Sequence, residues 1–252
     1  MSTSISQRAV GDMLGDRYRI VSVLGEGGFG SVYAADDLQA GERVAVKCLH
    51  PHLAVDHDVV ARFRREARAA TEIGHPGIVQ VLDFGALSDG TIVMAMELLE
   101  GEDLASKLAR DGAMRVSEAC QLVTHVCAAL GAAHDKGIVH RDLKPDNIFL
   151  VDPDDHQDRA EPDDKAAAGG RGAEQDAAEV TFVKIMDFGI AKSIDNKLTG
   201  TGMTVGTPEY MSPEQATGDR VDWRTDQYSM GCILYEMLTG FLPFEGRSAF
   251  EI

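Results

Sequence analysis

The stretch His140-Arg141-Asp142-Leu143-Lys144-Pro145-Asp146-Asn147 constrains this chain more than any other. Eight residues hold one imidazole, two cations, two carboxylates and one amide. A string this dense in chemistry has four companions placed in order around it. Gly25-Glu26-Gly27-Gly28-Phe29-Gly30-Ser31-Val32 and Val44-Ala45-Val46-Lys47 lie upstream. Asp187-Phe188-Gly189 and Ser212-Pro213-Glu214 lie downstream. Any fold for this chain has to gather polar motifs spread over most of its length.

The upstream motifs read as strands and one helix. Tyr18 to Leu24 alternates apolar and polar residues, and Val32-Tyr33-Ala34 follows the glycines. A dinucleotide fold needs a helix directly after G-x-G-x-x-G; β-favouring residues follow here, so the pattern predicts a hairpin with a glycine turn. Such glycines let backbone amides approach phosphate oxygens without a Cβ in the way. Lys47 ends the apolar strand Val44-Ala45-Val46 and needs an anionic partner there. Asp58 to Gly74 predicts a helix with Val59, Phe63, Ala70 and Ile73 on one face and Glu66 in its middle. Arg64, Arg65 and Arg68 point away. A carboxylate on an apolar face calls for a partner, and Lys47 is the candidate. His75-Pro76 ends this helix, Gly77-Ile78-Val79 starts the next strand, and Thr91 to Leu98 forms another.

The downstream half is helical. Ser117 N-caps a helix running to about His134, with Leu122, Val123, Val126 and Leu130 as its stripe. His125 and His134 show no metal-ligand spacing and read as surface or satisfied histidines. Thr225 to Thr239 is apolar on nearly every side and stops at Gly240, which predicts a buried helix.

The ordered motif set resembles the protein-kinase signature. The resemblance runs from about Tyr18 to the last residue and is nearest to the eukaryotic-like Ser/Thr kinases of bacteria. It implies an α+β, bilobal fold. A small β-sheet lobe with one helix would span about 16–96, a hinge 97–101, and a larger, mainly helical lobe 102–252. Residues 1–15 would form a flexible N-terminus. The family fold carries further helices after the one closing at Gly240, so the helical lobe is expected to be incomplete.

The resemblance also assigns roles. Asp142 is the base that orients a substrate hydroxyl, and Lys144 neutralises the γ-phosphate of ATP. Asn147 and Asp187 ligate Mg²⁺. Leu24, Gly25, Gly27, Gly28, Phe29, Gly30 and Val32 form the loop over the nucleotide, with Phe29 capping the phosphates. Lys47, paired with Glu66, holds the α- and β-phosphates. Met96 backs the adenine pocket; Glu97, Leu98 and Leu99 form the hinge; Val32, Ala45 and Phe149 sandwich the ring. His140 and Phe188 are packing residues. Lys144-Pro145 and Thr207 together imply a protein substrate with Ser or Thr hydroxyls. Arg141 implies a phosphate acceptor on the segment 187–214, where Thr199, Thr201 and Thr204 are candidates.

Departures temper the resemblance. Ala70 stands where many kinases have a larger apolar residue, which implies that the helix leans on a partner or a kinase dimer. Ser212 replaces an alanine. Glu214 ordinarily pairs with an arginine from the later helices, and Arg247 lies too early for that role. A buried carboxylate without its partner is expected to cost stability or take up a proton. Two function classes therefore stand: an active Ser/Thr kinase using Mg-ATP, or a catalytically weak nucleotide-binding or regulatory fragment.

Composition sets the outer limits. The 252 residues carry a formal net charge of -17, which argues against nucleic acid as a direct partner. Residues 152–179 are rich in Asp, Glu, Ala and Gly with almost no large apolar side chain, so a disordered acidic insertion is expected. Cys48, Cys120, Cys127 and Cys232 lack disulfide-like spacing, which points to core thiols in a reducing cytosol. No apolar run approaches the length of a membrane span, and the first residues do not form a signal peptide.

Overall fold

A computed structural model describes residues 8–152, 182–188, 208–244 and 246. The chain divides into two compact units, Met1–Gly74 with Val79–Leu98, and His75–Ile78 with Leu99–Ile252.

The first unit is a six-stranded antiparallel sheet, β1 (Met13–Leu14), β2 (Tyr18–Glu26), β3 (Gly30–Asp37), β4 (Glu42–Leu49), β5 (Val81–Ala86) and β6 (Ile92–Glu97), in the order β1-β2-β3-β4-β6-β5. β2 and β3 form the expected hairpin, with Gly25 opposite Val32 and Glu26 opposite Ser31. Side chains alternate across a strand, and β4 shows what each face does. Val44, Val46 and Cys48 enter a cluster with Leu14, Tyr18, Ile20, Tyr33, Ala35, Val93 and Ala95. Leu49 joins the other face, where helix α2 (His57–Ile73) supplies Val59, Phe63 and Ala67.

Helix α2 begins where Asp56 accepts from the N–H groups of Asp58 and Val59, and ends at Gly74 in the left-handed region, φ 59°. Its buried residues include all five expected on the inner face, and Arg64, Arg65 and Arg68 are exposed.

Four details of this unit differ from the sequence reading. A one-turn helix, α1 (Pro51–Ala54), precedes α2, so the unit has two helices rather than one. Pro51 sits at its start, where a missing N–H costs nothing. β4 runs on past Lys47 to Leu49 because Cys48 and Leu49 each have a core to enter. Part of the tail expected to be flexible over 1–15 is tied to the sheet, with Met13–Leu14 as its edge strand. Leu14 is fully buried, and Arg8 reaches Asp89 and Thr91. The strand expected at Gly77 starts only at Val81; Ile78 instead makes a single parallel bridge to Ile185.

The second unit holds a three-stranded sheet, β7 (Gly101–Asp103), β8 (Ile148–Val151) and β9 (Phe182–Ile185), with β8 central. Among the described residues it also holds helices α3 (Leu104–Asp111), α4 (Val116–Asp135), α5 (Pro213–Thr217) and α6 (Arg224–Thr239). Gly101, at φ 136°, admits no other residue, because a Cβ there would lie 2.0 Å from the Leu150 carbonyl oxygen. α4 packs on α6 and β9 and buries Ala119, Leu122, Val126, Ala129, Leu130 and Ala133. Its cap is Arg115, with no side-chain bond, and Ser117 lies inside the first turn.

Further expectations are corrected here. α4 is long and apolar enough by composition to cross a membrane, contrary to the sequence reading, yet it is a helix packed in this unit. Cys48 and Cys232 are buried, but Cys120 and Cys127 are exposed on α4. α6 is not covered all round: Thr225, Asp226, Ser229, Met230, Cys232, Ile233 and Met237 are buried, while Tyr235 and Leu238 face outward.

β8 and β9 pair antiparallel from Ile148 opposite Ile185 to Val151 opposite Phe182. The acidic stretch between them lies outside the described residues apart from Asp152, whose N–H donates to the Glu100 carbonyl. Paired strand ends fix the anchor points whatever the length of the link. Replacing residues 154–178 by a short Gly-Ser linker should therefore leave the melting temperature nearly unchanged, since each doubling of loop length costs only about 0.6 kcal/mol. A large drop on differential scanning calorimetry would show that the acidic stretch packs on the body.

Candidate active site

In the first unit, the sheet register collects candidate residues on one face. Val32 lies opposite both Gly25 and Lys47, and Ala45 opposite Met96. Ala45 and Lys47 are two apart on β4, so all five share that face. Lys47 Nζ is 3.1 Å from Glu66 Oε1, and both side chains are largely buried. The pair read from helical periodicity is thus present.

The glycines separate into two kinds. A Cβ on Gly30 would lie 1.9 Å from the Cys48 carbonyl oxygen, so strand packing alone requires glycine there. Gly25 and Gly28 have no heavy atom within 4 Å of an added Cβ, and Gly27 has only the Gly30 oxygen at 4.0 Å. Their backbone faces open space, the condition a phosphate needs for close approach. Leu24 and Phe29 are exposed beside them.

Sequence reasoning missed His50 in this loop. Its buried ring places Nε2 2.9 Å from the Gly27 carbonyl, and its N–H donates to the Phe29 carbonyl. A histidine just past an apolar strand carried no signal by itself. Glu97 is also more committed than expected. Its N–H donates to the Gln80 carbonyl and its Oε1 accepts from the Gln80 N–H, so it has no free N–H for a ligand.

In the second unit, His140 to Asn147 forms a loop ending in a 3₁₀ turn, Pro145–Asn147. Asn147 Nδ2 donates to the Asp142 carbonyl at 2.8 Å, which turns Oδ1 away as an oxygen ligand. Met186 N–H donates to the Asn147 carbonyl, and Ile148 pairs with Ile185. The β8–β9 pairing therefore delivers Asp187 beside Asn147. Lys144 Nζ lies 3.6 Å from Asp146 Oδ2. His140 and Phe188 are both buried, with ring centroids 4.7 Å apart. Phe149 is half-buried on β8, and Leu99 starts the longer of the two segments of this unit. Thr199, Thr201, Thr204 and Thr207 lie outside the described residues.

The loop hangs on a residue the sequence reading did not single out. Asp226, fully buried on α6, accepts from His134 Nε2 at 2.7 Å, from His140 N–H at 2.8 Å and from Arg141 N–H at 2.8 Å. Burial pushes its carboxyl up, but the His134 bond, the nearby His140 ring and the two backbone donors prevail and hold it below the usual carboxylate range. The signal was available: a carboxylate on an apolar helix is the anomaly that revealed Glu66.

Glu214 corrects another expectation. It is half-buried, and its Oε1 accepts from Thr225 Oγ1 at 2.7 Å. That bond lowers its pKa, so it stays ionised rather than taking up a proton. Among the described residues, a local hydroxyl already serves this carboxylate.

Asp226→Asn should lower stability by about 3 kcal/mol at pH 7, the scale of hydrogen bonds to a buried charge. The folded carboxyl titrates below its unfolded value of about 3.9, so its contribution is full above that pH and fades as pH falls through the folded pKa. Urea titrations should accordingly show a gap between wild type and variant that is wide at pH 7 and narrows below pH ~3.9. A gap that widens on acidification would contradict an ionised Asp226.

Comparison with known proteins agrees with this geometry. A family description, the protein kinase domain, matches residues 18–251. Serine/threonine-protein kinase pkn3 of Myxococcus xanthus is 42% identical over 99% of this chain and 42% of its own length. Serine/threonine-protein kinase PknB of Mycobacterium tuberculosis is 39% identical over 95% of this chain and 35% of its own. This chain thus spans about two-fifths or less of such relatives. The PknI kinase domain of Mycobacterium tuberculosis superposes with a TM-score of 0.68 at 27% identity, covering 95% of this chain and 80% of that one. The chain belongs to the protein kinase family, among the bacterial serine/threonine-protein kinases.

Proposed function

We propose that this chain transfers the γ-phosphate of Mg-ATP to Ser or Thr hydroxyls of protein substrates. The observation that carries the proposal is the loop pinned by Asp226, which carries Asp142, Lys144 and Asn147 and whose Asn147 carbonyl accepts from the residue before Asp187. Phosphoryl transfer needs positioned charge more than covalent help from the protein. Bound Mg-ATP would supply the phosphoryl group and the metal that neutralises it.

The residues present fit that ligand. Gly25, Gly27 and Gly28 leave open space beside the backbone where a Cβ would otherwise stand. Lys47, steadied by Glu66, would hold the α- and β-phosphates. Val32, Ala45, Met96, Phe149 and the backbone of Glu97 and Leu99 would take adenine, with Leu24, Phe29 and Gly30 closing the loop. Among the described residues no group of three or more His, Cys, Asp or Glu could hold a metal. Asn147 and Asp187 would share Mg²⁺ with phosphate oxygens and water, the coordination Mg²⁺ prefers. Asp142 would accept the proton of the substrate hydroxyl, Lys144 would offset charge on the transferring group, and Thr207 would hold both in register.

Asp142→Asn and Asp187→Asn should each cut transfer by about 100-fold or more while leaving the melting temperature within a few degrees of wild type, the usual cost of one lost electrostatic element. Labelled ATP, Mg²⁺ and a basic Ser/Thr peptide give the measurement. Near wild-type turnover by Asp142→Asn would refute the mechanism; nucleotide binding without turnover in the wild type would favour a regulatory module.

Regulation is part of the same reading. Thr199 or Thr201 would be phosphorylated, and Arg141 would receive the phosphate, since a group of nearly two negative charges can order a segment against an arginine. The kinase would transfer that phosphate from ATP to its own segment, leaving ADP. Mass spectrometry after incubation with ATP should find it, and Thr199→Ala with Thr201→Ala should lose most activity. Unchanged activity in the double variant would remove this element.

A further inference from the structure

Gln215 uses one amide for two tasks. Its Oε1 accepts from the Ser212 N–H at 3.2 Å and from Ser212 Oγ at 3.3 Å, while its own N–H donates to Ser212 Oγ. This closes a capping box on α5. Its Nε2 donates to the Arg141 carbonyl at 2.7 Å, across 74 residues of chain. Arg141 is one of two described non-glycine residues at positive φ, 66°. A side chain bearing a Cβ is strained there, so the conformation must be imposed from outside. Asp226 holds the N–H of Arg141, and Gln215 holds its carbonyl. That carbonyl belongs to the peptide group that leads into Asp142.

We infer that Gln215 is a positioning residue for Asp142, fixing the Arg141–Asp142 peptide from the far side of the loop. The inference rests on Asp142 acting as the base. The residue type follows from the geometry. One planar head must present an acceptor to Ser212 and a donor to Arg141, and a primary amide does both. Glutamate would keep the cap, since it serves equally at this place in a capping box, but would set an oxygen against the Arg141 oxygen. Methionine would lose both bonds.

The two roles can therefore be separated in the full chain with Gln215→Glu and Gln215→Met. If Gln215 only caps α5, Gln215→Glu is silent. If it positions Asp142, Gln215→Glu should keep the wild-type melting temperature and a KM for ATP within about twofold, while kcat falls about tenfold, the factor that corresponds to ~1.4 kcal/mol. Amide hydrogen exchange at Arg141 and Asp142 should quicken several-fold with α5 unchanged. Gln215→Met should show the same loss of kcat with a lower melting temperature. Wild-type kcat in Gln215→Glu, or a kcat loss with unchanged exchange at Arg141 and Asp142, overturns the inference. Should the wild-type chain transfer no phosphate, the proposed function fails, and the exchange measurement still decides: quickened exchange supports the clamp and unchanged exchange refutes it.

Discussion

One buried carboxylate organises the second unit. Asp226 is withdrawn from water, and a lone charge so placed would cost several kcal/mol. Three donors answer it, and two belong to the backbone of the loop that carries Asp142. The effect reaches further through His140. With its N–H fixed, its ring sets Nε2 3.0 Å from the Met186 carbonyl and Nδ1 within reach of the Asp142 N–H. That pattern suits the tautomer with its proton on Nε2. Met186 precedes Asp187, so Asp142 and Asp187, the candidate base and candidate metal ligand, are tied to one support.

The strain in this unit follows the same logic. Arg141 and Asp187 are the described non-glycine residues at positive φ, 66° and 51°. Each costs roughly 1–3 kcal/mol, and such conformations persist where surrounding bonds over-determine them. Arg141 is held at both its N–H and its carbonyl. Asp187 follows a residue anchored by its N–H to Asn147 and by its carbonyl to His140. The two strained backbones are the two next to candidate charges.

Much of this was legible because periodicity and pairing rules act locally. The Lys47–Glu66 pair followed from one carboxylate on an apolar stripe, and the β2–β3 hairpin from what came after the glycines. Asp226 escaped because α6 read as apolar throughout, which hid Thr225, Asp226 and Ser229 on its buried side. Their partners lie on other segments, and single-sequence patterns do not show which polar residues will meet. His50 and Gln215 escaped for the same reason: each acts on a backbone carbonyl, and a carbonyl has no identity in the sequence. The ionised state of Glu214 was missed because the hydroxyl that accounts for it stands one helix away.

The bond between Thr225 and Glu214 has a bearing on how the chain assembles. Glu214 closes to Thr225 over 11 residues, Ser212 to Thr225 over 13 and Tyr210 to Glu236 over 26. Asp226 must instead find Arg141 across 85 residues and His134 across 92. From 11 to 85 is about three doublings of loop length, or ~2 kcal/mol more chain entropy to close. The stretch from Tyr210 through α6 can thus gather itself first, from neighbours in sequence, and carry a finished Asp226 to the loop. The loop that carries the candidate catalytic residues is then the last to be locked, by a scaffold that already exists when it arrives.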